Sequence, residues 1–415
     1  MKYSVITFGC RVNQADSLGF EEALLRAGAA VAPPEDADLV VVNTCSVTAT
    51  ADQGARQTIR RIARSNPHAR IVVTGCYATR QPADVATLPN VIRVVPNDEK
   101  ARLIEAELST AQRFGDGEGS CGGRIEPGVA GRTAFTLRVQ TGCAEACSYC
   151  IIPSTRGLPR SLPVSDVLAE VARVTDAGFK EIALTGVHLG SYGRDLSQRA
   201  SLIELLLALA HLERKVLFRI SSLEPMDCSR EIIDLVASST SFAPHFHLPL
   251  QHASDHVLTA MGRPYTLSYY SGLVEYVRRR LPAASIGSDV IVGFPGETDR
   301  DVDALASYLE TSPLTHVHVF PYSNRPGTRA STMTGAVPGP VVRARAGAIR
   351  EISRRLKERF HQSQLGSVRS GLTLEDGTLV VTDNYMKLRV APGRARNEWI
   401  RVRVTSDHDG ELLPG

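Results

Sequence analysis

Short apolar runs alternate with amphipathic segments through the first hundred residues. The pattern predicts strands at 2–8, 38–43, 70–74 and 91–95, with helices at 16–27 and 51–65. Asp16 and Ser17 are expected to cap the first helix, and Gly28 to close it. Strands that alternate with helices are typical of a parallel sheet covered on both faces. We therefore predict an N-terminal α/β domain over residues 1–115.

The same alternation resumes near residue 133 and continues to about residue 360. Six further strands are predicted, at 135–139, 181–185, 216–220, 245–248, 286–292 and 316–320. Six helices are predicted beside them, at 165–177, 201–212, 229–238, 266–280, 299–310 and 340–359. Six β/α units fit a full or partial parallel barrel, in which the active site opens at the carboxyl ends of the strands. We assign residues 132–362 to this barrel.

Two segments lie outside these α/β regions. Residues 116–131 are rich in glycine and polar residues and are predicted to be a linker, in which the lone Cys121 has no expected ligand role. Residues 363–415 predict a small all-β module, with strands at 373–374, 379–382, 387–390 and 399–404. The overall fold class is therefore α/β with a C-terminal β module.

Composition narrows the class of protein. With 43% hydrophobic and 22% charged residues, the 415-residue chain is ordinary for a soluble protein. Its apolar runs are too short to span a membrane, and its N-terminus predicts a strand instead of a signal peptide. Eight cysteines are too few for a disulfide scaffold and suit reduced thiols. We therefore expect a cytoplasmic protein without membrane association.

Charge is concentrated near the C-terminus. Residues 341–359 carry seven Lys and Arg against two Glu, and residues 387–403 carry six against one. Such segments could follow a phosphate backbone, although solvated faces are the favoured explanation for the segments taken by themselves. Tyr385 and Trp399 flank the second segment, and aromatic rings among basic residues suit RNA. A structural Trp in a small core is the alternative.

Three cysteines, Cys143, Cys147 and Cys150, fall within eight residues in the spacing C-x3-C-x2-C. They follow the first strand of the predicted barrel, so they lie on a loop at a strand end. Three soft thiolates on one loop can hold a metal centre, but they are one short of the four that close a structural site. A zinc ribbon would need a second cysteine pair nearby, and haem attachment would need His where Ile151 stands.

Three more cysteines, Cys10, Cys45 and Cys76, each come just after a predicted strand of the N-terminal domain. The carboxyl edge of an open α/β sheet is where ligands bind. Separate loops thus bring one thiol each to the same edge. Burial as small apolar side chains is the alternative, and the shared placement at strand ends disfavours it.

The triplet Cys143, Cys147 and Cys150, with Tyr149 before the last cysteine, resembles the signature of radical S-adenosylmethionine (SAM) enzymes. The resemblance implies a four-iron cluster whose open iron binds SAM and whose electron cleaves SAM to a 5′-deoxyadenosyl radical. In such enzymes the cofactor performs the radical chemistry and the protein positions it.

A narrower resemblance covers the whole chain, to the methylthiotransferases within that superfamily. Its motifs are Gly9-Cys10-Arg11-x-Asn13, Asn43-Thr44-Cys45, Thr74-Gly75-Cys76, residues 185–193, residues 219–225, His247-Leu248-Pro249-Leu250-Gln251, Gly293-Phe294-Pro295-Gly296-Glu297-Thr298 and residues 322–328. The resemblance implies a second four-iron cluster on Cys10, Cys45 and Cys76 that carries sulfur. It also implies that residues 363–415 are a TRAM domain, which binds RNA.

Residues 43–48 and 51–61 resemble the branch that acts on N6-threonylcarbamoyladenosine in tRNA. The implied reaction replaces the C2 hydrogen of that nucleoside at position 37 with a methylthio group. The implied partners are the tRNA anticodon stem-loop and an electron donor such as flavodoxin or ferredoxin. Isopentenyladenosine in tRNA and an aspartate of a ribosomal protein are alternative substrates. A metal-stabilised RNA-binding protein without catalysis is the alternative outside the enzymes.

Further residues are implied to line the SAM and substrate pocket, namely Tyr149, Gly186, Ser221, Glu224, Gln251, Val292 and Gly293. Turn structure at the mouth of a barrel is the alternative for the polar ones and the glycines. His245, His247, His252 and His256 suggest a metal site as well. Because His245 and His247 alternate on a strand, and because the thiols already account for metal, a structural role is favoured for these histidines.

Overall fold

The computed structural model describes residues 1–100, 103–104, 126–128 and 132–414. Cys121 and most of the predicted linker lie outside the described residues. None of the helices in the described ranges has the length and apolar character needed to cross a membrane.

The N-terminal residues form a five-stranded parallel sheet, in the order β2-β1-β3-β4-β5. Its strands are β1 (Lys2–Thr7), β2 (Ala30–Val31), β3 (Leu39–Thr44), β4 (Arg70–Gly75) and β5 (Val91–Val95). Its helices are α1 (Arg11–Arg26), α2 (Ala49–Ser65), α3 (Cys76–Arg80) and α4 (Pro82–Ala86). The central strand β3 is buried throughout, because apolar clusters cover the sheet on both faces. The predicted parallel α/β sheet is confirmed.

The first helix begins earlier than predicted. Helix α1 starts at Arg11, and its N-cap is Cys10 in an extended conformation. The predicted caps, Asp16 and Ser17, are buried inside the helix. The Asp16 carboxylate accepts a hydrogen bond of 2.7 Å from Lys100. A partner 84 residues away, and not the helix terminus, therefore satisfies that side chain.

The central region is an arc of six parallel strands. In chain order they are β6 (Phe135–Arg138), β9 (Glu181–Thr185), β10 (Leu217–Ile220), β11 (His245–His247), β12 (Ser285–Val292) and β13 (His316–Pro321). They pair as the sheets β6-β9-β10 and β11-β12-β13, and a parallel bridge between Phe218 and Phe242 joins the two. The short strands β7 (Gln140–Thr141) and β8 (Arg160–Ser161) pair antiparallel beside the arc. This arrangement is the predicted partial (β/α)6 barrel.

Helices follow the strands, and all except the first, which lies against the N-terminal domain, pack on the outside of the arc. They are α5 (Ile152–Arg156), α6 (Val164–Asp176), α7 (Leu202–Ala210), α8 (Arg230–Ser238), α9 (Asp255–Met261), α10 (Leu267–Arg280), α11 (Asp299–Thr311) and α12 (Gly339–Gln364). The apolar side chains of Ile182, Phe218, Phe246, Val290 and Val317 pack in one large core with these helices. Because side chains alternate along a strand, the residues between them face the concave side of the arc, which we call the lumen.

The C-terminal module is an antiparallel sheet in the order β16-β15-β14-β17-β18. Its strands are β14 (Val368–Leu374), β15 (Leu379–Thr382), β16 (Lys387–Arg389), β17 (Trp399–Val404) and β18 (Gly410–Leu412). Strand β14 begins earlier than predicted, and β18 was not predicted. Along β17, Ile400 and Val402 enter the module core, whereas Arg401 and Arg403 are exposed. The predicted β module therefore carries basic residues on an outward face.

Tyr385 of this module contacts both other parts of the chain. Its hydroxyl accepts a hydrogen bond of 2.9 Å from the Arg11 guanidinium. Its ring centroid lies 4.7 Å from the Arg219 guanidinium carbon and 4.7 Å from the His245 ring centroid. The Tyr385 ring is therefore occupied by contacts within the protein, and it joins three parts of the fold beside the lumen.

Candidate active site

The thiols of Cys143, Cys147 and Cys150 lie together on the loop between β7 and α5. Burial, together with the negative charges of Cys147 and Cys143, raises the pKa of Cys150 to about 12. The amide of Ser148 donates a 2.8 Å hydrogen bond to the carbonyl of Met261 at the end of α9. The loop is thus anchored to the barrel while its three free thiols share one local environment.

Two charged groups from distant elements approach these thiols. The Arg263 guanidinium donates to Sγ of Cys147 at 3.2 Å and pairs with the Glu224 carboxylate. On the other side, Nδ1 of His188 lies 3.9 Å from Sγ of Cys143, and its Nε2 lies 2.7 Å from Asp227. Sequence spacing gives no signal for either contact, because the partners are separated by 45 and 116 residues.

The second set, Cys10, Cys45 and Cys76, meets at the carboxyl edge of the N-terminal sheet. Cys45 and Cys76 are buried and Cys10 is exposed. Burial raises the pKa of Cys45 to about 11, and the charges of Cys10 and Cys76 add to the effect. Gly9 has φ +91°, and a Cβ at this position would lie 2.6 Å from Sγ of Cys45. A glycine is therefore required beside this thiol.

Arg156 connects the two thiol-bearing regions. It ends helix α5, which follows Cys150, and its side chain crosses to the N-terminal domain and donates to Oδ1 of Asn13. Burial opposes its charge, but Cys76, Asp16 and Cys10 nevertheless raise the pKa of Arg156. A neighbouring contact is made by Asn97, whose Nδ2 lies 3.7 Å from Sγ of Cys76 and donates to the Thr155 carbonyl at 2.7 Å.

The Cys45 loop is also fastened to the end of β13. The backbone amide of Ala49 donates to Oγ of Ser323 at 3.1 Å. The Arg325 guanidinium donates to Oγ of Ser46 at 2.7 Å and to the Asp52 carboxylate at 2.9 Å. All three groups at the Arg325 contact are buried. These polar contacts hold the N-terminal domain against the open end of the barrel.

A cavity of about 190 Å³ lies at this junction. Val47 and Thr48 of the N-terminal domain line one side of it. Tyr149, Cys150 and Gln251 line the opposite side. The two thiol-bearing loops therefore flank a common space at the carboxyl ends of the barrel strands.

The other predicted pocket residues differ in their surroundings. Arg263 links the Glu224 carboxylate to Sγ of Cys147. The backbone of Gln251 has φ +66°, in the left-handed region. The Ser221 hydroxyl is buried without a hydrogen-bond partner in the described part of the chain. A Cβ on Gly186 would approach the Gln140 side chain to 2.9 Å, so the backbone there is closely packed. These observations are compatible with a pocket wall, and the roles remain predictions.

Val292 and Gly293 lie further from the cavity lining. The Val292 side chain is fully buried in the barrel core. A Cβ on Gly293 would meet Val342 of α12 at 2.5 Å, and the Gly293 amide donates to the Glu297 carboxylate. Neither residue presents a side chain to the cavity, so only a backbone contact with SAM remains predicted for them.

The donor sets fit two iron–sulfur clusters in their chemistry. Each consists of three free thiols gathered at one end of a parallel sheet. Among the described residues, the remaining cysteine is Cys228, which lies in the barrel core. Three thiolates match a four-iron cluster in which one iron has no cysteine ligand. That arrangement parallels catalytic zinc sites, where the open position receives a ligand.

Two family models match the chain. Residues 2–96 match the Uncharacterized protein family UPF0004, and residues 137–309 match the Radical SAM superfamily. The first range includes Cys10, Cys45 and Cys76, and the second includes Cys143, Cys147 and Cys150. Each match therefore contains one of the two sets of thiols.

Curated relatives match over nearly the full length. Threonylcarbamoyladenosine tRNA methylthiotransferase MtaB of Aquifex aeolicus is 34% identical, with coverage of 97% of this chain and 100% of that protein. The protein of the same name from Bacillus subtilis is 34% identical, with coverage of 92% and 88%. The tRNA-2-methylthio-N(6)-dimethylallyladenosine synthase of Corynebacterium glutamicum is 32% identical, with coverage of 100% and 81%.

A solved structure shares the fold. The radical S-adenosylmethionine methyltransferase TsrM from Kitasatospora setae, with cobalamin and a [4Fe-4S] cluster bound, superposes with a TM-score of 0.56. It is 16% identical, and the match covers 79% of this chain and 76% of that chain. At this identity the similarity concerns the architecture alone.

Proposed function

The chain belongs to the radical SAM methylthiotransferase family, and on that basis we propose that it attaches a methylthio group to C2 of N6-threonylcarbamoyladenosine at position 37 of tRNA. The observation that carries the proposal is the shared cavity. Val47 and Thr48, which follow Cys45, line one side of it, and Tyr149 and Cys150 line the other, so sulfur delivery and radical chemistry could act on one bound nucleoside.

Cys143, Cys147 and Cys150 would hold the cluster that binds SAM, and Cys10, Cys45 and Cys76 would hold the second cluster. When bound, the first cluster and SAM supply the one-electron chemistry needed to remove hydrogen from an unactivated carbon, and the second supplies sulfur. A second SAM would supply the methyl group.

The chain's own side chains position these groups. Arg263 donates to Sγ of Cys147 and neutralises Glu224 beside it. Arg156 and Arg325 hold the N-terminal domain against the barrel through buried contacts. Fixed geometry between two reacting centres is a large part of enzymatic rate enhancement, since it removes the entropy cost of bringing them together.

Relatives named for two nucleosides match this chain. The relatives from Aquifex aeolicus and Bacillus subtilis are named for threonylcarbamoyladenosine, and that from Corynebacterium glutamicum is named for dimethylallyladenosine. The motif at residues 43–48, with the segment 51–61, favours the threonylcarbamoyl nucleoside. We therefore propose it as the substrate, with isopentenyladenosine as the alternative.

The C-terminal module would bind the anticodon stem-loop through its outward basic face. Arg401 and Arg403 are exposed on one face of β17, and Trp399 lies partly exposed on the same face. Guanidinium groups bind phosphates, and an aromatic ring can stack on a base. A small electron-transfer protein such as flavodoxin or ferredoxin would supply electrons, and we place the enzyme in the cytoplasm with its tRNA.

The test compares modified nucleosides in a strain that lacks the gene. Mass spectrometry of digested tRNA should show loss of the 2-methylthio-threonylcarbamoyl nucleoside, with the unmethylthiolated form accumulating. Restoration by the intact gene, but not by a Cys147→Ala copy, would support catalysis. Loss of the 2-methylthio-isopentenyl nucleoside instead would identify isopentenyladenosine as the substrate. Unchanged levels of both would exclude these two nucleosides as substrates.

A further inference from the structure

Imidazole and carboxylate side chains converge in the lumen, apart from both sets of thiols. His247 lies on β11, Asp289 on β12 and His318 on β13. The pairing register places His247 beside Gly287, and Asp289 beside His318. Because neighbouring residues on all three strands pack outward in the core, these three side chains face the lumen.

The ligand-capable atoms of the three side chains all lie within 4.8 Å of one another. Nε2 of His247 lies 3.1 Å from Oδ1 of Asp289. The His247 and His318 ring centroids are 5.8 Å apart. From this geometry we propose that His247, Asp289 and His318 form a binding site for a divalent transition metal ion, with zinc as the favoured occupant.

The donor types fit such an ion. Zinc binds imidazole nitrogen at about 2.0–2.1 Å and carboxylate oxygen at about 2.0–2.2 Å, and three protein ligands are usual where a position stays open. Ligand atoms at a tetrahedral ion are then about 3.3 Å apart. The His247–Asp289 distance of 3.1 Å already matches this spacing. The exposed His318 ring can close the remaining gap by rotation about its side-chain bonds.

Two neighbouring residues support a built site. Nδ1 of His247 lies 3.2 Å from Oγ of Ser222, and such a partner fixes the orientation of a ligating imidazole. Gly287 leaves space between the strands, since a Cβ there would lie 2.5 Å from Nε2 of His316 and 3.1 Å from Cδ2 of His247. Any larger residue at position 287 would therefore displace the rings. The proposal adds metal binding to the structural role predicted for His247 from sequence.

The location indicates what the ion could contact. Asp289 also lines the cavity that contains Cys150 and Gln251. Open coordination positions on the ion would therefore be accessible to an oxygen ligand in that cavity. If the proposed function holds, that ligand is the carboxylate of the threonylcarbamoyl group, which the isopentenyl group lacks; the metal site itself does not depend on this step.

The test uses the enzyme with both clusters loaded, incubated with zinc and then dialysed. Elemental analysis should give about one zinc per chain beside an unchanged iron content. Zinc X-ray absorption should show nitrogen and oxygen ligands near 2.0 Å and no sulfur near 2.3 Å. Asp289→Asn and His318→Gln should each lose the zinc. His256→Gln is the matched control, because His256 is a surface histidine with its side chain 69% exposed.

Equal zinc in the wild type and the Asp289→Asn variant, or zinc bound only through sulfur, would overturn the metal site. The iron content of each variant reports whether it is correctly loaded, so a folding failure is recognised separately. Nucleoside analysis in the same samples tests the proposed function independently. Zinc bound by nitrogen and oxygen, in an enzyme that methylthiolates only isopentenyladenosine, would support the site and overturn the proposed substrate.

Discussion

The Arg263 guanidinium donates a hydrogen bond to Sγ of Cys147 at 3.2 Å. A donor to a ligand sulfur withdraws charge from an iron–sulfur cluster and raises its reduction potential. Arg263→Gln should therefore lower the potential of the cluster proposed on Cys143, Cys147 and Cys150. A charge-assisted hydrogen bond of about 1.4 kcal/mol corresponds to roughly 60 mV for one electron.

This shift can be measured by a redox titration followed by electron paramagnetic resonance. A Cys45→Ala background would remove the second cluster and simplify the spectrum. Arg329→Gln is the control, since Arg329 donates to the backbone carbonyl of Ala146 and not to a thiol. Equal potentials in the Arg263 and Arg329 variants would show that Arg263 acts only in packing.

Gly9→Ala should prevent loading of the cluster proposed on Cys10, Cys45 and Cys76. The added Cβ would lie 2.6 Å from Sγ of Cys45, and φ +91° is unfavourable for alanine. Iron and sulfide analysis should fall from about eight to about four iron atoms per chain. Gly19→Ala in helix α1 is the matched control, because its Cβ would meet nothing within 4 Å. Full iron content in Gly9→Ala would contradict the crowding argument.

The two sets of thiols should fail in different ways when each loses a cysteine. Cys147→Ala should abolish SAM cleavage, as followed by 5′-deoxyadenosine release under reducing conditions. Cys45→Ala should still cleave SAM but leave the tRNA without a methylthio group. Methylthiolated tRNA from the Cys45→Ala enzyme would refute the assignment of Cys10, Cys45 and Cys76 as the sulfur source.

Glu21 predicts a pH dependence of stability. Burial raises its pKa to about 7 from the ordinary 4.5, although Arg132 opposes the shift, and its Oε2 has no hydrogen-bond partner in the described structure. Between these two values the folded state binds more proton than the unfolded state, so stability falls as pH rises. Glu21→Gln removes this loss. The Tm of the variant should therefore exceed that of the wild type by more at pH 8 than at pH 5.

Thermal unfolding at both pH values would measure the effect. Glu35→Gln is a suitable control, because Glu35 is exposed. The Tm of this variant should change with pH in parallel with that of the wild type. A Glu21→Gln curve that also stays parallel to the wild type at both pH values would show that the Glu21 carboxyl ionises normally in the folded protein.

The outward face of β17 should contribute to tRNA affinity. Arg401→Gln combined with Arg403→Gln should weaken binding and reduce the salt dependence, by about one unit of slope for each lost phosphate contact. Binding titrations at several salt concentrations would measure this. The control is Arg354→Gln, because that exposed side chain is paired with Glu351 and Glu358. An unchanged slope of affinity against salt concentration in the double variant would show that RNA binds to another surface.

Local sequence patterns predicted the strands and most of the helices, because residues close together in the sequence determine these elements. Strands β3 and β4 are continuous apolar segments, and their predicted ends placed Cys45 and Cys76 at one edge of the sheet. The start of α1 was wrong because Asp16 pairs with the distant Lys100. Arg156 and Arg263 were not identified for a similar reason: each acts on thiols far away in sequence, and only tertiary packing brings them together.

The histidines of the lumen show the same limit. His247 and His318 belong to strands separated by another strand, so neither spacing nor alternation reveals that their rings approach each other. The sequence also does not indicate why position 287 is a glycine. The absence of a side chain there leaves the space in which the rings meet. Side-chain convergence across a sheet depends on register, which a single sequence does not report directly.

Tyr385 limits how freely this protein can be recombined with its relatives. Its hydroxyl is held by Arg11, and its ring contacts Arg219 and His245, so the C-terminal module shares side-chain contacts with both other parts of the chain. A chimera that exchanges only the residues after 365 would replace one side of these contacts. For a grafted module to seat correctly, its counterpart of the loop at 383–386 would have to match Arg11 and Arg219. A chimera that keeps these contacts would therefore have to exchange Arg11, Arg219 and His245 together with the C-terminal module, although they are scattered over most of the chain.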